Sequence, residues 1–317
     1  MPQTSTMQPF AQGDVFAGAT VLNNAEDDHA GDGRILQYDS DLNEKGVLWT
    51  EGTTHLVGGL KFGPDGNLWA FDSNTFTVIR VSPDGKQLPR IAFPERAFSN
   101  INFAPDGTVL HGEHLVGDTI NLPPDRPLGT TLPHVPGTKV FGYGHVYRCA
   151  MDGSLVKEYA TEVHGGMPGF LGVTSSALAP DGKTLVYLSE LGNRVFRFDI
   201  EADKQLPDLV HFDPETRDMA MHVKFDSNGR LFLITANFQK GFFLHIIDDQ
   251  SGESKQSWEL PGRGWATITP STHPNTVYIG NFFTGTIGKF SLDSGSLEKT
   301  AETKVERSLA GLAQYGA

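Results

Sequence analysis

Between Ser175 and Asp199 the chain alternates short runs of β-forming residues with tight-turn signals. Ala177 to Ala179 is apolar, Pro180-Asp181-Gly182 is a turn in which Pro presets φ and Gly is free to take φ > 0, and Thr184 to Leu188 is a β-rich run. Gly192-Asn193 makes a second turn, after which Val195, Phe196, Phe198 and Ile200 form another strand. The pattern predicts an antiparallel meander. Such a unit cannot bury both faces alone and needs neighbours stacked on each side, so copies of it are expected along the chain.

The copies are present. One runs from Gly59-Leu-Lys-Phe-Gly-Pro-Asp-Gly66 through Asn67 to Phe71, Thr77 to Val81, a Pro83-Asp-Gly85 turn, and Leu88 to Phe93. The next opens with Ile101-Asn-Phe-Ala-Pro-Asp-Gly107 and Thr108 to His111, and resumes at Gly144 only after an insertion from Leu115 to Val140 that is rich in Pro. After the copy at Ser175 come His222-Val-Lys-Phe-Asp-Ser-Asn-Gly229 with Arg230 to Ile234 and Phe242 to Ile247, then Ala266-Thr-Ile-Thr-Pro270 with Thr276 to Ile279 and Thr286 to Leu292. The head has a strand at Asp14 to Leu22, a polar loop from Asn23 to Gly33, and strands at Arg34 to Tyr38 and Val47 to Trp49, but no inner strand with a Pro-Asp-Gly turn. The tail supplies one, Leu309-Ala-Gly-Leu-Ala-Gln-Tyr-Gly316. Four strands in a period of roughly 40 to 50 residues predict an all-β, six-bladed β-propeller. Its blades are antiparallel and its first blade is closed by strands from both termini. Residues 1–317 would form one domain, with the insertion at about 115–140 as a lid over one mouth of the channel.

Composition narrows the partners. The net charge of -13 argues against a nucleic-acid partner, which would need Lys and Arg to neutralise phosphates. The single cysteine, Cys149, leaves no intrachain disulfide, multi-Cys metal site or haem-attachment motif. No stretch has the length and apolarity of a membrane span, and the N-terminal residues lack the basic and apolar regions of a leader. These features predict a cytoplasmic protein with a small-molecule substrate, no membrane partner and no nucleotide or haem; oligomeric state is not encoded in any pattern here.

In an antiparallel meander the start of the inner strand and the end of the second strand share one end of the sheet, so the residues there converge on one mouth. Inner-strand starts offer His55, Asn100, His164, Thr174, His222 and Trp265. Second-strand ends offer Asp72, Glu113 with His114, Glu190, Asn237 and, beside Asn281, Phe282. Histidines and carboxylates on one rim suit metal binding or proton transfer. His55, His164 and His222 are the candidate metal ligands, Glu113, His114 and Glu190 the candidate acid/base groups, and Asp72, Asn100, Thr174, Asn237, Trp265 and Phe282 the candidate substrate contacts. Asp72, Glu190 and Asn237 also sit beside turns, where such side chains commonly cap loops.

The repeat at Ser175 to Asp199 resembles that of the six-bladed propellers that include the senescence marker protein/gluconolactonase family, strictosidine-synthase-like proteins and NHL-type propellers. In the gluconolactonase family a divalent metal is held by Glu, Asn and Asp at inner-strand starts and polarises a lactone or ester. Aligned on the Pro-Asp-Gly turns, those positions fall near Gly58 or His55, Thr174, and Met221 or His222, so the family ligands are not intact. A His-rich rim favours zinc, iron or manganese over calcium. The resemblance implies metal-assisted hydrolysis of an ester or lactone. The alternatives are a lyase using His/Glu acid-base chemistry, with or without metal, as in virginiamycin-lyase-like propellers, and a non-catalytic binding scaffold.

Overall fold

The computed structural model describes residues 3–24, 27–73, 75–115, 143–162 and 172–317, with backbone only at 27–30. The chain divides into two compact units, residues 1–90 with 263–317, and residues 91–262. Among the described residues both are built from antiparallel sheets, and helix is confined to a single 3-10 turn at Pro214–Thr216. Among the described residues no helix is long and apolar enough to cross a membrane.

The first unit holds three sheets of the repeat. One is ordered β25 (Leu309–Gln314), β1 (Val15–Ala19), β4 (Arg34–Tyr38), β5 (Glu44–Trp49). The C-terminal strand is therefore the inner strand of the sheet that opens the chain, in the register Val15 with Gln314 through Ala19 with Leu309. Strand β1 is buried along its whole length because both of its faces are covered. Val15, Ala17 and Ala19 join Leu36, Tyr278 and Leu312 on one side, while Phe16 joins Val57, Leu68 and Ile79 on the other. The covering is tight enough that a Cβ on Gly18 would lie 1.9 Å from the Val57 carbonyl oxygen. The outer edge of β5 is covered too: Thr6 and Met7 donate their N–H groups to the Val47 carbonyl, at 2.7 and 3.0 Å.

The second sheet of this unit, β6 (Val57–Phe62), β7 (Leu68–Asp72) and β8 (Thr77–Val81), has three strands. A fourth strand is expected over Leu88 to Phe93, but only Gln87 bridges to Val81 and Leu88 N–H reaches the Arg80 carbonyl at 2.8 Å. Pro89 follows at once, and a residue without an N–H cannot continue the ladder. The third sheet, β21 (Trp265–Pro270), β22 (Thr276–Asn281), β23 (Thr286–Ser291) and β24 (Ser296–Glu302), is complete. A hairpin of β2 (Val21–Asn24) and β3 (Asp27–Asp32) occupies what the polar sequence predicts to be loop. Its backbone is held from outside, by Gly31 N–H on the Thr54 carbonyl at 3.2 Å, and no apolar alternation announces it.

The second unit stacks three four-stranded sheets. They are β9 (Phe98–Phe103), β10 (Val109–Glu113), β11 (Val146–Cys149) and β12 (Leu155–Tyr159); β13 (Ser175–Leu178), β14 (Thr184–Leu188), β15 (Arg194–Asp199) and β16 (Lys204–His211); and β17 (Met219–Phe225), β18 (Leu231–Asn237), β19 (Gly241–Ile247) and β20 (Ser254–Leu260). Leu110, Val146 and Tyr159 pack on Leu185, Tyr187 and Phe196, and Ala177, Val186 and Leu188 pack on Ala220, Val223 and Leu233. The insertion expected at 115–140 lies outside the described residues except for Leu115, which is buried.

Closure of the first sheet by β25 makes a direct prediction. Leu312→Ala, which empties a fully buried site between sheets, should cost about 2–5 kcal/mol. Deletion of Leu309 to Ala317 should abolish the cooperative thermal transition, since it bares the whole inner edge of β1. A deletion variant that melts like the parent in calorimetry would refute the closure.

Candidate functional site

The inner strands of the second unit show what a polar side chain there normally does. Asn102 donates from Nδ2 to Ser176 Oγ at 2.8 Å, Ser176 Oγ in turn donates to Asn100 Oδ1, and Leu178 N–H donates to Asn102 Oδ1 at 3.2 Å. Ser175 Oγ accepts from Val223 N–H at 3.1 Å. Asn100 Nδ2 also reaches the Val173 carbonyl, at 2.9 Å, and Thr174 Oγ1 donates to the Leu188 carbonyl at 3.1 Å. Asn100 and Thr174, expected at a substrate site, thus join neighbouring strands to one another.

Strand β17 breaks this rule at the same register positions. Asn100 lies opposite Gly112 and Asn102 opposite Leu110; the equivalent residues of the third sheet, opposite Ile234 and Phe232, are His222 and Lys224. A bulge between Ala220 and His222 sets the phase of the strand. Val223 then packs in the apolar cluster with Ala177 and Leu233, so His222 and Lys224 share the other face. Both are half-buried, and among the described residues neither makes a hydrogen bond or ion pair. Burial, helped by the Lys224 charge, lowers the His222 pKa to about 3, so the imidazole is neutral at pH 7. Burial lowers the Lys224 ammonium to about 8.

Glu190 belongs to the same end of this unit. It occupies the turn after β14, where Leu191 N–H donates to the Ala220 carbonyl at 2.9 Å and Ala220 N–H donates to the Gly192 carbonyl at 2.8 Å. The turn carrying the carboxyl is therefore stitched to the beginning of β17, two residues before His222. Burial pushes Glu190 up from 4.5 to about 7, and no described group hydrogen-bonds it. Three groups with shifted protonation equilibria on adjoining segments mark a candidate site for proton transfer.

The other second-strand ends hold the backbone. Asp72 accepts from the N–H groups of Thr54 and His55 at 2.6 and 2.9 Å, which also fixes the buried His55 in the first unit. Asn237 accepts from Gln239 and Lys240 N–H and donates to the Thr216 carbonyl and Asp218. Asn281 caps the corresponding turn beside Phe282, whose N–H bonds the Gly264 carbonyl at 2.8 Å and whose ring lies 5.9 Å from that of Phe283. Trp265, paired with Asn281, is buried. Glu113 is buried, accepting from Gly144 N–H at 3.1 Å and Tyr147 Oη–H at 3.3 Å, with Arg96 Nε 3.7 Å away. Its neighbour His114 is also buried, with its N–H on the Ala97 carbonyl. This carboxylate thus ties the chain on either side of the insertion together.

Among the described residues no three His, Cys, Asp or Glu side chains are grouped to hold a metal. His164 lies outside the described residues, and His55 and His222 belong to different units. The donor set at His222 also fits a metal poorly, because the nearest charge along its face is the Lys224 ammonium, which would repel a divalent cation. Lys224 is the residue that the sequence reading passed over. Its signal is visible in His222-Val223-Lys224, a basic residue alternating with a histidine on an inner strand.

No protein-family model and no curated protein sequence matches the chain. Solved structures do. A chain of the nidogen/laminin complex is 12% identical and aligns over 96% of this chain and 98% of its own length with a TM-score of 0.65. A protein of unknown function from Bacteroides caccae is 12% identical over 97% and 100%, with a TM-score of 0.63. A catalytically inactive histidine-to-alanine variant of virginiamycin B lyase from Staphylococcus aureus, with quinupristin, is 15% identical over 98% and 95%, with a TM-score of 0.55. The fold is a six-bladed β-propeller. At such identities the likeness is one of fold, and this propeller's chemistry has to be argued from its own residues.

The raised Glu190 pKa has a signed consequence. Unfolded, the group ionises near 4.5; folded, it holds its proton to about 7. Between these values the folded chain retains a proton that the unfolded chain has lost, so this residue's contribution to stability declines as pH rises through that window. Glu190→Gln should melt with the parent below the window and above it at pH 8, the gap opening between. A gap that stays constant with pH would contradict the shift.

Proposed function

We propose that the protein is an enzyme that moves a proton on a small organic molecule, in the manner of a lyase, using Glu190, His222 and Lys224. The observation that carries this reading is the pairing of His222 with Lys224 on one face of β17, at register positions where the inner strand β9 holds cross-linking asparagines. Glu190, titrating near 7, is matched to accept a proton at neutral pH and return it. Lys224 remains largely protonated at pH 7 and stabilises negative charge as it develops on the substrate. The neutral His222 imidazole donates a hydrogen bond to the same oxygen, as neutral imidazoles do in other proton-transfer sites.

A lyase is among the proteins that share this fold, so the scaffold is compatible with elimination chemistry. Metal-assisted ester or lactone hydrolysis is the less favoured reading, because Lys224 occupies the flank a cation would need. A binding scaffold needs no half-buried ionisable groups without partners.

The ring opening of 5-nitrobenzisoxazole tests the reading without knowledge of the natural substrate: a base removes the ring C–H proton as the N–O bond breaks, and the phenolate takes the electron pair. Saturable turnover should rise with pH through an apparent pKa near 7. Glu190→Gln should lower kcat by about 10²- to 10⁴-fold, and Lys224→Met should lower it with little change in KM. Turnover no faster than buffer, or unchanged in both variants, would reject the proposal. So would chelator-sensitive hydrolysis of p-nitrophenyl acetate that needs neither residue.

A further inference from the structure

A groove of about 350 Å³ opens on the second unit between the turn at Leu191, the connection from Pro214 to Asp218, and the turn after β18. The structure assigns it, we infer, as a binding site for a small aromatic carboxylate. The architecture and lining of the groove point to this ligand.

The walls are fixed before any ligand arrives. Asn237, buried beneath them, donates to the Thr216 carbonyl at 2.8 Å and to Asp218 Oδ1 at 2.7 Å while accepting from Gln239 and Lys240 N–H at 3.0 and 3.1 Å. One side chain therefore binds two walls together, which spares the ligand the entropy of ordering them.

Two residues of the rim, Leu191 and Arg217, hold left-handed backbone conformations with φ of 60° and 57°. A side chain makes that conformation costly, and such residues gather where a site needs them. At Arg217 the conformation caps the 3-10 turn of Pro214–Thr216, and the guanidinium of this lining residue has no hydrogen bond or ion pair among the described residues. The one acid of the lining, Asp218, is already engaged by Asn237 and lies 3.7 Å from Lys240 Nζ. On a chain of net charge -13, an uncompensated guanidinium in a concave site selects an anion, and its planar fork matches a carboxylate.

Apart from Asn193 and Gln239, the rest of the lining is apolar. Phe238 is 46% exposed, its ring lying T-shaped to that of Phe242 with centroids 6.2 Å apart, and Met219 and Leu191 complete an oily surface beside the cation. A ring stacked on Phe238 with its carboxylate on Arg217 covers both at once. The volume is at the small end of ligand sites, about 300–1,000 Å³, so one or two fused rings fit.

The inference stands on the groove alone and does not need the proton-transfer reading. Isothermal titration of the full chain with 2-naphthoate, and with the neutral 2-naphthamide, tests it. Arg217→Gly removes the guanidinium while relaxing the left-handed backbone, so the variant keeps its fold; Phe238→Ala removes the platform. Expected is saturable 2-naphthoate binding tighter than about 1 mM, weakened about tenfold by either variant, weaker at high salt, and poorer for the amide. The assignment is overturned by absence of saturable binding, by binding that both variants leave unchanged, or by equal affinity for acid and amide. Loss of 2-naphthoate binding in Arg217→Gly with 5-nitrobenzisoxazole turnover intact would separate this site from Glu190 and His222.

Discussion

An inner strand of a stacked sheet has to satisfy its backbone within its own sheet and its polar side chains against the next one, because a buried polar group without a partner is costly. In the second unit this constraint is met by short amides and hydroxyls: Asn100, Asn102 and Ser176 close one set of contacts, and Ser175 closes another. The strand positions that obey the rule fix how adjacent sheets lie on each other. The positions that break it, His222 and Lys224, stand out against that background.

The fold was legible because its repeat is written in turns. Pro-Asp-Gly and its variants punctuate the sheets, and Thr184 to Leu188 forms a strand with the limits that its residues suggest. The return of the C-terminal strand to the first sheet could be read as well, since the head lacks an inner strand and the tail has a spare one. What escaped was structure without an apolar signature. The β2–β3 hairpin is polar and held by backbone contacts, and the strand expected at Leu88 to Phe93 is interrupted by Pro89, whose missing N–H outweighs the apolar pattern.

The candidate site was less legible, for a physical reason. The same end of a sheet gathers both catalytic-looking side chains and the caps that turns demand, and residue type does not separate them. Asp72 and Asn237 hold turn backbone, and Glu113 ties together the chain flanking the insertion. Glu190 differs from them in having no described N–H to accept. Lys224 could have been noticed as a charge in an inner strand, but its significance depends on which face the bulge at Ala220 gives it, and a bulge is not written in the hydrophobic pattern.

The central claim is that β17 presents a neutral imidazole beside a lysine in protein-dense surroundings. Nuclear magnetic resonance of the protein labelled with ¹⁵N at histidine, with the His222 signals identified by their loss in His222→Gln, tests it most directly. The account predicts that the His222 ring stays neutral down to about pH 4 and begins to protonate only near 3. A His222 resonance that titrates near its ordinary value of 6.5 would contradict it.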